Sequence, residues 1–221
     1  MFKRLLSYFV PINIHKQKSA VSKNIEITWN NGQLVLDSQN TNYSYGSLQR
    51  ILRRGLQTIG FDVVKEMQHI LVLGVAGGSV IQTLVGEVGF KGKISGVEID
   101  PEIVAVANSY FHLDKIPNLK LYIDDAFEFV LKTTERYDLI IIDIFRDTEM
   151  PNFLFEKFFV DRIGFLLKPK GFFLFNTMTL NGVHDERNKQ YIAEIDPVKY
   201  HVRAIPRVEN HNELIVVQKL T

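Results

Sequence analysis

Tyr137-Asp-Leu-Ile-Ile-Ile-Asp143 is a short, nearly unbroken apolar run closed by an acid. A strand of that composition must be covered on both faces. Few architectures do this, and the commonest lays helices over both sides of a parallel sheet. The flanking sequence fits that arrangement. His69-Ile-Leu-Val-Leu-Gly74 is an earlier apolar run that ends in glycine, and a helical stretch follows from about Gly78 to Val88. Lys93-Ile-Ser-Gly-Val-Glu98 reads as the next strand. Asp100 then serves as N-cap and Pro101 as first residue of a helix that runs to about Tyr110. Asn118–Ile123 is a strand, Ala126–Lys132 a helix and Asn152–Leu167 a longer helix. Lys168-Pro-Lys-Gly171 reads as a turn before a strand over Phe172–Asn176. Such alternation implies right-handed crossovers and a doubly wound, mostly parallel α/β sheet. At the end of the chain, Tyr200–Ile205 and Glu213–Gln218 are placed as an antiparallel hairpin on the sheet edge.

Upstream, Ile25–Trp29 and Gln33–Asp37 alternate apolar and polar residues around Asn30-Asn31-Gly32. Asn-Gly tolerates the two positive φ angles of a type I′ turn, so a β-hairpin is expected. Asn40–Ser44 reads as a loop, and Gly46–Gly60 as a helix with apolar Leu48, Ile51, Leu52 and Leu56. The chain divides into an arm, hairpin and linking helix over 1–62 and the α/β domain over 63–221.

Composition removes several classes of function. The chain has 46% hydrophobic and 23% charged residues, which excludes a disordered or fibrous chain. The net charge of +1 gives no global drive toward nucleic acid or an anionic membrane. Without cysteine there is no disulfide, thiol nucleophile or thiolate metal site, which suits a cytoplasmic setting. No stretch has the roughly 20 apolar residues of a membrane span. The first 24 residues hold five Lys or Arg and no acid. They read as a solvated or dimer-contacting arm in preference to a membrane-surface anchor.

Four candidates for chemistry fall on one edge of the expected sheet. Gly74-Val-Ala76-Gly77-Gly78-Ser79 joins a strand to a helix, where glycine lets a ligand approach the backbone and free N–H groups await it. It matches neither the three-glycine dinucleotide fingerprint nor a P-loop. Glu98 ends the next strand, and its two oxygens can accept both hydroxyls of a ribose. Asp124 and Asp125 follow the third strand; one can accept from an adenine amino group while one caps the next helix. Asp143 ends the most apolar strand. His184, in Asn181-Gly-Val-His-Asp-Glu186, is a weaker candidate placed in a loop, and Tyr43, Tyr45 and Trp29 are candidates for the substrate entrance. The histidines have no metal-ligand spacing, so no metal is expected.

Residues from about 24 to 177 resemble the spermidine synthase family of polyamine aminopropyltransferases, which shares the class I methyltransferase fold. The matching stretches are Ile70–Val80, Gly96–Val104, Asp125–Phe129, Tyr137–Asp143, Pro151–Phe155 and Leu167–Gly171, with Leu36-Asp37 and Tyr45 upstream. The resemblance implies a seven-stranded sheet with a small N-terminal β module, a homodimer, and S-adenosylmethionine or its decarboxylated form as cofactor. It implies that Gly74, Ala76, Gly77 and Gly78 shape the loop beside the ligand, that Glu98 binds ribose, and that Ile99 packs on the nucleoside. Asp125, with Ala126 beside it, holds adenine, and Asp143 lines the pocket as the general base. The family carries an aspartate where this chain has Gly77, and that acid disfavours the carboxylate of ordinary S-adenosylmethionine. The family's Tyr-His-Glu run is Tyr45-Gly46-Ser47 here, and its Asp-Ser-Ser/Thr-Asp-Pro motif is Asp143-Ile-Phe-Arg146-Asp147. The expected activity is therefore methyl transfer to a small acceptor, with aminopropyl transfer and a catalytically silent binding protein as alternatives.

Overall fold

The computed structural model describes residues 2–37, 42–44, 46–145 and 149–221. Helix α1 (Phe2–Leu6) precedes a four-stranded sheet, β1 (Ile12–Ser19), β2 (Lys23–Asn30), β3 (Gln33–Asp37) and β4 (Asn42–Ser44), in that order. The expected hairpin is its centre. Asn30 pairs with Gln33 across Asn31 and Gly32, whose φ values are 47° and 74°. Two readings need correction. The basic arm is not free over its whole length, because residues 12–19 pair antiparallel with β2. Residues 42–44 form β4 beside β3 and not a loop. Polar residues dominate both segments, which hides edge strands from a search for apolar alternation.

Helices α2 (Ser47–Ile59) and α3 (Phe61–Lys65) lead into the main sheet. Its strands are β5 (His69–Leu73), β6 (Lys93–Glu98), β7 (Leu119–Ile123), β8 (Tyr137–Ile142), β9 (Leu167–Met178), β10 (Tyr200–Val208) and β11 (Asn212–Lys219). They lie in the order β10-β11-β9-β8-β5-β6-β7. The five strands β5 to β9 run parallel, and β11 and β10 add antiparallel at one edge. The interleaved helices are α4 (Ser79–Gln82), α5 (Pro101–Phe111), α6 (Ala126–Lys132), α7 (Lys157–Leu166) and α8 (Gly182–Ala193).

Successive strand residues feed opposite faces. Ile70, Val72, Leu139 and Ile141 join one core, to which α2 adds Ile51, Leu52 and Leu56. Leu71, Leu73, Ile140 and Ile142 join the other, with Phe159 and Ile163 of α7. The doubly covered strand read from the sequence is thus present.

Three boundaries differ from the sequence reading. The helix after the glycine loop widens into a π-helix over Thr83–Val88. The stretch read as one helix over 152–167 is a 3-10 turn, Asn152–Phe155, followed by α7. Lys168–Gly171 lies inside β9, at a register shift against β8.

The small sheet is fastened to the large one through α5. Ile25, Ile27 and Leu36 pack with Ile103, Val106 and Phe111. The buried Asp100 caps α5 through Oδ1, accepting from Glu102 N and Ile103 N, while Oδ2 accepts from Ser19 Oγ at 2.5 Å. Burial opposes ionisation of Asp100, but donors led by Ser19 and Ser22 hold its carboxyl below the usual carboxylate range. Ser19→Ala should therefore cost about 1–3 kcal/mol, the usual loss for a hydrogen bond to a charged group. A melting temperature equal to that of the parent chain would remove Ser19 from this role.

Candidate active site

The order of the parallel strands reverses between β5 and β8. From β5 the chain adds β6 and β7 on one side, then returns to add β8 and β9 on the other. Ligands of open α/β sheets bind beyond the strand C-termini at such a switch point. Gly74 follows β5 there, and Asp143 follows β8.

Gly74 is a glycine for a steric reason. Its φ is 86°, and a Cβ would lie 2.1 Å from the Asp143 carbonyl oxygen. The ends of β5 and β8 can meet only without that carbon. The loop then turns through Ala76, at φ 46°, and Gly78, at φ 77°. A Cβ on Gly78 would strike Leu113, so the helix start packs directly on that side chain.

Glu98 holds this loop. Its Oε2 accepts from Val75 N at 3.2 Å and Ala76 N at 2.9 Å, and its Oε1 accepts from Asp100 N at 3.1 Å. A carboxylate offers about four acceptor positions. Val75, Ala76 and Asp100 take three of them, and the backbone of Ile99 also bonds this carboxylate, so Glu98 can receive a ribose hydroxyl only as backbone donors give way. Burial raises the Glu98 pKa, and the loop amides oppose the rise.

Asp143 is half-buried, and its Oδ1 accepts from Asn176 Nδ2 at 2.9 Å. Asn176, at the end of β9, is itself oriented by Asn212 Nδ2, which donates to its Oδ1 at 3.0 Å. Burial pushes the Asp143 carboxyl up to about 7; the Asn176 bond opposes this and the charge of Glu98 adds to it. Two acids facing one cleft, one near neutrality, suit proton acceptance and attraction of a cation. The two asparagines were not found by sequence reasoning. Asn176 was read only as a strand end, and Asn212 only as part of a turn.

Asp125 caps α6, with Oδ1 accepting from Phe127 N and Glu128 N. Its other oxygen takes no part in the cap. Asp124 takes the backbone N–H of Asp125 and donates its own to Glu98 O. Ile99 is exposed and apolar beside Glu98, and Ala126 is half-buried at the start of α6. Gly77 is buried within the loop. All the ligand candidates therefore border one stretch of the sheet edge.

The weaker candidates separate from this group. His184 lies in the first turn of α8 and not in a loop, because Asn181 caps that helix by accepting from Val183 N and His184 N. Its Nδ1 accepts from Leu180 N, and burial lowers its pKa. Trp29 sits at the hairpin under the Arg4 guanidinium, 5.9 Å from the ring centre. The backbone at Tyr43 belongs to β4, and Tyr45, Arg146 and Asp147 lie outside the described residues. A groove of about 540 Å³ lies elsewhere, against α7, α8 and the Tyr200 end of β10. It shares no residue with the cluster, and its Lys157–Asp161 and Lys199–Asp196 pairs neutralise each other. Among the described residues no group of three or more His, Asp and Glu converges as a metal site.

The order and direction of the strands are those of a class I methyltransferase-like fold. The superposition on the crystal structure of spermidine synthase from Thermotoga maritima has a TM-score of 0.72 at 17% identity, covering 94% of this chain and 73% of that chain. Residues 50–219 match the family described as the spermine/spermidine synthase domain, and the chain belongs to that family. Two kinds of relative resemble the chain. The polyamine aminopropyltransferase of Vibrio vulnificus (strain CMCP6) is 28% identical over 127 residues, 56% of this chain and 42% of that protein. The eEF1A lysine and N-terminal methyltransferase homolog of Drosophila melanogaster is 25% identical over 195 residues, 76% of this chain and 28% of that protein. The matches thus span less than half the length of either relative. Family membership does not fix which group is transferred.

Proposed function

We propose that this chain is an S-adenosylmethionine-dependent methyltransferase acting on a small acceptor. The single observation behind this is the composition of the cleft: a glycine loop held by Glu98 at the switch point, a raised-pKa acid opposite, and Gly77 where the family has a carboxylate. The residues fit an adenosyl ligand. Glu98 is an acceptor for ribose where it releases a backbone donor, Asp125 has a carboxylate oxygen outside its cap, and Ile99 an exposed apolar side chain for the nucleoside. When bound, that ligand supplies a sulfonium-activated methyl group. Asp143 stands ready to take a proton from the acceptor, with Asn176 holding one of its oxygens. Alignment does the rest, since methyl transfer asks little more of the protein.

Gly77 carries the choice of donor. With no carboxylate there, the ordinary ligand is not repelled. Aminopropyl transfer from the decarboxylated form is the second reading, favoured by the family itself. We further propose a homodimer that uses the small sheet, whose β1 edge is open among the described residues.

The test is calorimetric titration with S-adenosylmethionine and its decarboxylated form in parallel. Tighter binding of the ordinary form supports methyl transfer. Tighter binding of the decarboxylated form overturns it in favour of aminopropyl transfer, and binding of neither leaves the silent protein. Gly77→Asp should weaken the ordinary form by at least about tenfold, the cost of facing two carboxylates in a cleft. An unchanged ratio between the two ligands would show that position 77 does not select the donor.

A further inference from the structure

Three neighbouring strands bring one acid and two amides into line. Phe175 pairs with Ile142 along the parallel strands, so the next residue, Asn176, stands beside Asp143. Asn212 pairs with Met178 and Leu214 with Asn176, which makes Asn212 the diagonal neighbour of Asn176 on the same sheet face. Both asparagines are buried. A buried amide is costly unless its two ends find partners. Asn176 has one bond at each end: Nδ2 donates to Asp143 Oδ1 at 2.9 Å, and Oδ1 accepts from Asn212 Nδ2 at 3.0 Å. This order suits an ionised Asp143, which only accepts.

A protonated Asp143 makes the opposite demand. Its O–H needs an acceptor, and Asn176 Nδ2 is only a donor. Among the described residues no other group bonds the Asp143 side chain, so within the chain that proton has no acceptor while the amide keeps its sense. A half-turn of the Asn176 amide exchanges its two ends, which are nearly equal in shape. Oδ1 then accepts from Asp143, and Nδ2 donates toward position 212. Asn212 can meet either demand by the same half-turn, because its side chain makes no other hydrogen bond among the described residues. The pair therefore offers Asp143 a partner in both protonation states, with no bond lost elsewhere. Glu98 is the described ionisable group whose charge acts on Asp143. Glu213, beside Asn212, turns to the other sheet face, where Asn188 Nδ2 donates to it, and His211 is exposed.

We propose that Asn176 and Asn212 are positioning residues that form an amide relay, their two side chains turning over together when Asp143 gains or loses its proton. The use of the relay rests on the reading of Asp143 as the base. In transfer the acceptor's bond to hydrogen breaks and the proton joins the Asp143 carboxyl, where the turned relay supplies its acceptor. Loss of that proton to water turns the relay back.

Neutron diffraction from crystals of the deuterated chain locates amide deuterons directly. The conditions are about pH 5 and about pH 9, to either side of the Asp143 midpoint of about 7. At the higher pH the Asn176 deuterons should face Asp143, and those of Asn212 should face Asn176. At the lower pH both sets should be reversed, with a deuteron between Asp143 and Asn176 Oδ1. The same sense at both values, wherever the carboxyl deuteron lies, overturns the proposal. A second measurement uses substitution. Aspartate has the shape of asparagine but, once ionised, only accepts. Asn212→Asp should therefore favour the turned amide and raise the Asp143 midpoint by at least about one unit. The carbon-13 resonance of the Asp143 carboxyl, identified by its loss in Asp143→Asn, reads that midpoint. With Asn176→Leu in the same chain the new charge acts only through space, and the rise should be less than about half as large. Equal rises in the two backgrounds overturn the relay. Neither readout uses a donor or an acceptor, so a chain that transfers nothing would sink the proposed activity and leave the relay standing. The neutron result decides even if the variants do not fold.

Discussion

Glu98→Ala should lower the stability of the folded chain by about 2–4 kcal/mol, because its backbone donors lose their acceptor at once. Those donors are Val75 N, Ala76 N and Asp100 N, with the backbone of Ile99 on the same carboxylate. Glu98→Gln retains a carbonyl acceptor and should fall about halfway. The same substitution to alanine should weaken adenosyl-ligand binding by about 1–3 kcal/mol, or roughly five- to 150-fold. The two effects separate two roles. A changed dissociation constant with an unchanged melting curve would leave Glu98 as a ligand contact only and remove it as the clamp on the loop.

Asp143→Asn is expected to act in opposite senses on stability and on turnover. The folded protein keeps the Asp143 proton up to about pH 7, whereas the unfolded chain loses it near the ordinary carboxyl value of 3.8. Between those limits the folded state binds more protons, so its stability falls as pH rises and levels off above 7. Asparagine removes that dependence and still accepts the Asn176 bond. The variant should gain stability over its parent progressively from pH 4 to 7, reaching about 2–4 kcal/mol at pH 8. Denaturation midpoints at pH 4, 6 and 8 measure this. A gain that is the same at all three would mean Asp143 ionises normally. Transfer should meanwhile fall by at least about a hundredfold, the usual contribution of a positioned base. In the parent chain, activity should rise with pH through about 7 as the base loses its proton.

The parts of this molecule that could be read from the sequence are those whose causes are local. The apolar runs of β5, β6 and β8 identified themselves by composition, and the Asn31-Gly32 turn by its two positive φ angles. The cap at Asp100 was visible because Pro101 follows it. Strands β1 and β4 escaped because edge strands carry polar residues, and what makes them strands is the partner alongside. The π-helix and the register shift at Lys168–Gly171 likewise have no local signature. The same divide runs through the site. Glu98, Asp125 and Asp143 could be placed at strand ends, since position after a strand is a matter of order along the chain. That Glu98 spends most of its acceptors on the loop could not be read, because the contact joins residues more than 20 positions apart. The bond from Asn212 through Asn176 to Asp143 spans three strands and is still less accessible.

Asp100 makes the small sheet and the cleft parties to one equilibrium. Its backbone N–H rests on Glu98 Oε1, while its side chain holds Ser19 on the far side of the same residue. If a ligand on Glu98 strengthens the Asp100–Ser19 bond, reciprocity makes attachment of Ser19 strengthen the ligand's binding by the same free energy. The same coupling would let a pull on the β1–β2 turn loosen a nucleoside held as proposed. Whatever the N-terminal unit rests on thereby becomes a term in the affinity of the cleft.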